Sequence, residues 1–327
     1  MILVTGGAGF IGSNIAAGLS DAGRDVAICD RFGTGDKWRN VAKIDLGDVI
    51  PPELLSPWLG RQKGNVDAIV HMGAISSTTE RDVDLIVREN YSLSRALWEF
   101  AAREGVRFIY ASSAATYGDG SAGFDDDLSS DELAKLRPLN PYGWSKHMFD
   151  RFVARQIESE AQLPPQWAGL KFFNVYGPNE YHKGSMKSVV AQIFPRAAAG
   201  EAVTLFKSHN PKYADGGQLR DFIYVRDCVD VVAWLLETPE TSGLFNLGTG
   251  KARTFLDLAS AVFAAMNRKP NIAYADTPIE IRDKYQYFTQ AKMERLRAAG
   301  YDNAFTSLED GVADYVQRYL SAADAYR

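Results

Sequence analysis

Apolar residues come in short, fully hydrophobic runs through the first half of the chain, each followed by a stretch with helical spacing. Ile2–Thr5, Val26–Cys29, Ala68–His71, Phe108–Ala111 and Gly169–Phe172 read as strands. Ile11–Ala22, Asp84–Arg103 and Pro141–Glu160 read as helices between them. Strands that are apolar throughout, with no polar alternation, belong to sheets buried on both faces. The pattern therefore predicts an α/β fold: a Rossmann-like, doubly wound parallel sheet. After about Asn174 the regularity weakens and loops rich in Gly, Asn, Lys and His take over. This assigns residues 1–174 to a dinucleotide-binding domain and 175–327 mainly to a smaller substrate-binding lobe. Residues 221–237 are expected to return to the first domain, with Asp227 capping a helix that runs to about Glu237.

Composition narrows the field without naming a function. The chain has 327 residues, 46% of them apolar and 24% charged, which suits a packed globular protein. Its net charge is −5 and the Lys and Arg are dispersed, so no basic stripe points to nucleic acid. No run approaches the length needed to span a membrane, and the first ten residues lack the features of a secretion signal. A cytoplasmic protein is expected. Cys29 and Cys228 sit in apolar surroundings and read as core residues, not as a disulfide framework. The run Asp125-Asp126-Asp127 reads as a solvated loop, since adjacent carboxylates seldom converge on one ion; no metal site is expected.

The chemistry begins at the N-terminus. Gly6, Gly9 and Gly12 form G-x-x-G-x-x-G between the first strand and the first helix. A pyrophosphate must approach backbone N–H groups at a helix start, and a Cβ there would block it. At the end of the second strand stands Asp30, placed to accept from ribose hydroxyls, which favours NAD. Arg31, with Lys37 and Arg39 nearby, suits the 2′-phosphate of NADP instead. The two signals conflict, and the reading leans to NADP with NAD as the alternative.

Tyr142 and Lys146 make a Tyr-x-x-x-Lys pair on one helix face. Ser113 leaves a sheet strand at its carboxyl end, where parallel sheets bind ligands. Taking a hydride from a carbinol carbon requires removing the hydroxyl proton as well. A free phenol titrates near ~10, so a cationic neighbour must favour the phenolate. Three pH units correspond to about 4 kcal/mol, within reach of two nearby cations in a dry site. Tyr142 is thus the expected acid/base, Lys146 its tuner and ribose anchor, and Ser113 the positioner of the reacting oxygen. Arg220 is a candidate diphosphate clamp or a surface ion pair with Asp221 or Asp227. Asn90 is expected to brace the cofactor loop or to serve as a buried structural amide, and His71 to orient loops.

With VTGGAGFIGSNI, SSTTE, YASSAATYG, PYGWSK, KFFNVYGPNEYHKGSM, RDFIYV, FNLGTG, KYQYFTQA and RAAGYD in place, the chain resembles the extended short-chain dehydrogenase/reductases over nearly its whole length. Within them it resembles more closely the 6-epimerases of ADP-linked glycero-manno-heptose, which serve lipopolysaccharide core synthesis. That resemblance implies a tightly held NADP, oxidation and re-reduction at the exocyclic C6, and a homo-oligomer, a pentamer in the family. It puts Phe10, Ile11, Asp30, Arg31, Lys37, Met72, Gly73, Ala74, Ile75, Ser76, Lys146 and Val175 around the cofactor. It puts Asn174, Ser185, Gln192, Phe206, Lys207, Ser208, His209, Arg220 and Tyr285 around the nucleotide-sugar substrate. The chain departs from the family at Arg31, Gln192 and Lys207–His209, which bears on nucleotide recognition.

An epimerase must present both faces of one carbon to one nicotinamide. Rotation about C5–C6 does this for an exocyclic carbon, but carries the carbonyl oxygen away from Tyr142. A second proton donor is therefore expected, and the resemblance assigns it to Lys183. A 4,6-dehydratase is disfavoured because Ala114 and Ala115 stand where that reaction needs an acidic pair. A nucleotide-sugar 4-epimerase and a dinucleotide-sensing module without turnover stay open as alternatives.

Overall fold

The computed structural model describes residues 1–282 and 286–327. Its strands, in chain order, are β1 (Ile2–Thr5), β2 (Val26–Cys29), β3 (Asp48–Ile50), β4 (Ala68–His71), β5 (Arg107–Ser113), β6 (Trp167–Phe172), β7 (Asn174–Tyr176), β8 (Val203–Phe206), β9 (Leu219–Tyr224), β10 (Gly243–Leu247), β11 (Ala252–Thr254) and β12 (Ile272–Ala275). Seven form one parallel sheet in the order β10-β6-β5-β4-β1-β2-β3. The chain runs outward from β1 to β2 and β3, then crosses back to β4 on the other side of β1. That reversal opens a crevice beyond the carboxyl ends of β1 and β4, the place where doubly wound sheets bind ligands.

Helices cover both faces, as strands with no polar side require. Helix Phe10–Asp21 and helix Val225–Glu237 pack on one face, around Ile15, Leu19, Val231 and Leu235. Leu93–Glu104 and Pro141–Glu158 pack on the other, where Trp98, Phe108, Phe149 and Trp167 meet largely edge to face. Each such buried side chain contributes about 1.5–3 kcal/mol relative to exposure. A third apolar cluster joins helices Val189–Ala198, Phe255–Ala265 and Leu308–Tyr315. Beside it lie the small sheets β11-β9-β7 and β12-β8. Among the described residues no helix is long and apolar enough to cross a membrane.

Some local expectations change. The helix expected over Asp84–Arg103 comprises Val83–Ile86, a wider π turn over Val87–Ser92, and Leu93–Glu104. The π turn contains Asn90, whose side chain is drawn to Ile75, and such bulges commonly mark functional segments. Asp227 is not a cap: Tyr224 precedes the helix, and Asp227 sits in its first turn accepting from the Thr306 N–H and hydroxyl. The acidic run is a loop, as expected, but only part of it is solvated. Asp125 pairs with Lys292, Asp127 with Arg295, and Asp126 is buried against the Asn246 N–H. Burial raises Asp126 to about 6.

Candidate active site

One cavity of about 640 Å³ lies in the crevice, lined by the carboxyl ends of β1, β2, β4, β5 and β6. At its base the glycine turn fits a dinucleotide on steric grounds. Gly6 has φ +66°, and a Cβ there would stand 2.6 Å from the Gly73 nitrogen across the switch point. A Cβ on Gly12 would come within 2.1 Å of the Gly6 carbonyl oxygen. Helix Phe10–Asp21 starts here with no capping side chain. Its first N–H groups and the positive end of its dipole are therefore left for an anion such as a pyrophosphate.

Asp30 closes the β2 side. Its Oδ2 accepts from the Ala8 N–H at 2.9 Å, and its Oδ1 from the Arg31 N–H at 2.7 Å and Lys37 Nζ at 2.5 Å. Arg31 is held by Glu53 at 2.8 Å and Glu89 at 2.9 Å. Glu53 and Glu89 escaped sequence reading because they lie 22 and 58 residues from Arg31. Met72, Gly73, Ala74, Ile75, Ser76 and Val175 also line the cavity. Asn90 is buried outside the cavity lining. It accepts from the Ile75 N–H at 2.7 Å and donates to the Ile75 carbonyl and to Ser145. His71 bonds Thr5 Oγ1 at 2.6 Å and Ser94 Oγ at 2.8 Å, tying β1, β4 and the following helix together.

Tyr142, Lys146, Ser113 and Lys183 all line this cavity. Asn140 caps helix Pro141–Glu158 by accepting from the Gly143 N–H, and Pro141 supplies a fixed first φ. The cap fixes where the helix starts and so sets Tyr142 and Lys146 one turn apart on its cavity side. Burial raises the Tyr142 phenol, and a hydrogen bond to Ser113 opposes this. Burial lowers Lys146 to about 8 while Asp150 opposes the fall. Lys183 comes from the turn Tyr181–Met186. Burial lowers its ammonium, Glu180 opposes, and Nζ lies 5.3 Å from the centre of the Phe10 ring. Glu180 is itself buried, bonded to the Ser188 backbone and hydroxyl and to Tyr315. A phenol, a hydroxyl and two ammonium groups beside an anion-binding turn can move protons at a bound alcohol or ketone.

The residues expected around the substrate divide. Asn174 lines the cavity; Ser185, Gln192, Phe206–His209 and Arg220 do not. Gln192 donates to the Ser185 and Lys187 carbonyls, bracing the end of the Lys183 turn. Lys207 pairs with Asp276, Ser208 donates to the Asn210 carbonyl, and His209 accepts from the Thr277 N–H. Arg220 donates to the Leu219 carbonyl and lies 5.6 Å from the centre of Phe255, a cavity-lining ring. Tyr285 lies outside the described residues.

Residues 2–248 match the model of the NAD dependent epimerase/dehydratase family. The chain belongs to that family. The epimerase/dehydratase fold explains why the crevice, the glycine turn and the Tyr142 helix occur together. Among family members, the chain is 50% identical over 329 residues to the ADP-L-glycero-D-manno-heptose-6-epimerase of Nitratidesulfovibrio vulgaris strain DP4, covering all of both chains. The crystal structure of Helicobacter pylori ADP-L-glycero-D-manno-heptose-6-epimerase matches with a TM-score of 0.79 at 29% identity, covering 98% of this chain and 96% of that one. A Thermus thermophilus UDP-glucose 4-epimerase in complex with NAD matches with a TM-score of 0.74 at 26% identity, covering 98% and 99%.

Proposed function

We propose that the protein interconverts ADP-D-glycero-D-manno-heptose and ADP-L-glycero-D-manno-heptose by transient oxidation at C6. The observation that carries this is the convergence of Tyr142 and Lys183, from different elements, on one cavity with the dinucleotide turn at its base. The full-length likeness to proteins named for that reaction supports the choice of sugar.

A nicotinamide dinucleotide held over the glycine turn, between Asp30 and Lys146, would supply the hydride acceptor and donor for C6. The chain's own residues handle the proton and the orientation. Tyr142, as phenolate, takes the C6 hydroxyl proton while Ser113 holds the oxygen, leaving a ketone at C6. Burial alone disfavours that phenolate, and the Lys146 ammonium one helical turn away favours it. Rotation about C5–C6 turns the opposite face of the ketone inward and its oxygen toward Lys183. The Lys183 ammonium then gives a proton to that oxygen as the new C6–H bond forms. In the reverse direction the two residues exchange roles. The lowered ammonium of Lys183 suits a group that must both give and accept a proton near neutrality.

For the cofactor we read NADP, held at its 2′-phosphate by Arg31 and Lys37. The Arg31 pair with Glu53 is solvent-exposed on both sides, so a phosphate can replace that carboxylate at little cost while Glu89 keeps its contact with Arg31. Asp30, already accepting from Ala8, Arg31 and Lys37, serves this reading as the anchor of the loop. The test of the proposed reaction is to incubate the purified protein with ADP-D-glycero-D-manno-heptose and follow C6 configuration by NMR. Approach to a mixture of both epimers is expected; an unchanged sugar, or turnover of a UDP-hexose instead, refutes the assignment.

A further inference from the structure

Behind the cavity, helix Pro141–Glu158 leads into a buried ion pair with no place in the proton transfers described above. Asp150 lies one turn beyond Lys146, which lies one turn beyond Tyr142, so all three share one helix face. Asp150 and Lys171 of β6 meet at 2.8 Å with both side chains fully buried. Their other contacts are filled. Asp150 accepts from Ser112 at 2.7 Å and Tyr110 at 3.2 Å, and Lys171 donates to Thr116 at 2.7 Å. Lys171 Nζ also lies 4.8 Å from the centre of the Tyr117 ring. Ser112 and Thr116 bracket Ser113, whose hydroxyl lines the cavity with Tyr142 and opposes the rise of its phenol.

Apolar residues of similar volume commonly stabilise a core as well as a buried ion pair does. Two charges placed behind a proton-transfer centre therefore call for an explanation other than stability. We propose that Asp150 and Lys171 are positioning residues: Asp150 keeps Lys146 charged, and the pair holds the Ser113 strand end against the Tyr142 helix. This rests on the reading of Tyr142 and Lys146 given above.

The surrounding groups agree with the assignment. Lys146 faces Asp150 on its own helix and His71 from β4, and His71 is held neutral by burial and by Lys146 itself. Asp150 faces Lys171 from β6, Tyr110 from β5, Tyr117 from the turn Ala114–Tyr117, and His147 beside Lys146. Arg137 and Arg151 act on His147. Burial brings Lys146 down to about 8, and Asp150 is the group that opposes it.

Asp150→Asn alone would leave Lys171 as an unpaired buried cation and risks misfolding. The Asp150→Asn/Lys171→Met double variant removes both charges and keeps the volume. Its dinucleotide-loaded form is titrated by the phenolate absorption of Tyr142, with Tyr142→Phe as the blank, beside the pH dependence of kcat and KM for the sugar. The phenolate is expected to form about one pH unit higher, a tenfold change in proton affinity. The alkaline limb of kcat moves to lower pH, with KM within about twofold of wild type. A folded double variant with wild-type phenolate titration and pH limb overturns the proposal. If the wild-type protein itself turns over no heptose, the phenolate titration still decides: a shift upholds the positioning role and no shift removes it.

Discussion

Tyr142 and Lys183 line one cavity from opposite parts of the fold, the first on a helix covering the large sheet and the second on a turn beyond β7. The proposed exchange at C6 requires that relationship, a phenol and an amine on one cavity beside a helix start suited to an anion. Tyr142→Phe keeps the ring and removes the proton carrier. Turnover should fall by about a hundred- to ten-thousand-fold while dinucleotide affinity stays within about twofold, as read by calorimetry. Turnover near the wild-type rate would remove Tyr142 from the mechanism.

Lys183→Met retains the aliphatic stem beside Phe10 and deletes the ammonium. Both directions of epimerisation should slow by a similar factor, again about a hundredfold or more, because either direction uses both groups. Turnover near the wild-type rate would point to a surface role for Lys183.

Gly12→Ala puts a methyl against the Gly6 carbonyl oxygen at 2.1 Å, and that oxygen belongs to backbone that cannot rotate away. Dinucleotide affinity should drop by at least about a hundredfold, since the turn must open to relieve the clash. Fluorescence titration with NADP and NAD checks this, and unchanged affinity would place the cofactor elsewhere.

Arg31→Ala tests the 2′-phosphate reading separately. Affinity for NADP should fall about tenfold while that for NAD changes by less than about twofold. Equal losses for both would make Arg31 a structural partner of Glu53 and Glu89 only.

Acid stability follows from His71. Its folded value of about 3 lies well below the ordinary 6.5, because burial and Lys146 disfavour the imidazolium. Within that window the unfolded chain binds a proton that the folded chain does not, so stability is lost as pH falls from 6.5 toward 3. His71→Asn, measured by urea unfolding across the same window, should be less stable at neutrality but lose stability more gradually on acidification.

Much of the sheet was legible because its strands announce themselves. Ile2–Thr5, Val26–Cys29 and Ala68–His71 are four-residue apolar runs that end at Gly, Asp or a loop, and the structure places those strands at the same residues. β3 was not legible: three residues, two of them exposed, carry no periodic signal. The π turn at Asn90 was equally hidden, since apolar spacing cannot distinguish one extra residue per turn from an ordinary helix. At the site, Tyr142, Lys146 and the glycines could be read because their chemistry is local, four residues or fewer apart. Glu53, Glu89 and the Asp150–Lys171 pair could not, because folding alone brings them to their partners. The partners of the acidic loop were hidden for the same reason: Lys292 and Arg295 reach it from the far end of the chain.

The measurement that bears most directly on oxidation and re-reduction at one carbon is epimerisation of ADP-D-glycero-D-manno-heptose in deuterium oxide, with C6 followed by NMR. Hydride that leaves and returns within one closed site gives the L-glycero epimer with protium still at C6. Deuterium appearing at C6 in step with epimerisation would contradict the account, because the hydrogen would then have left as a proton.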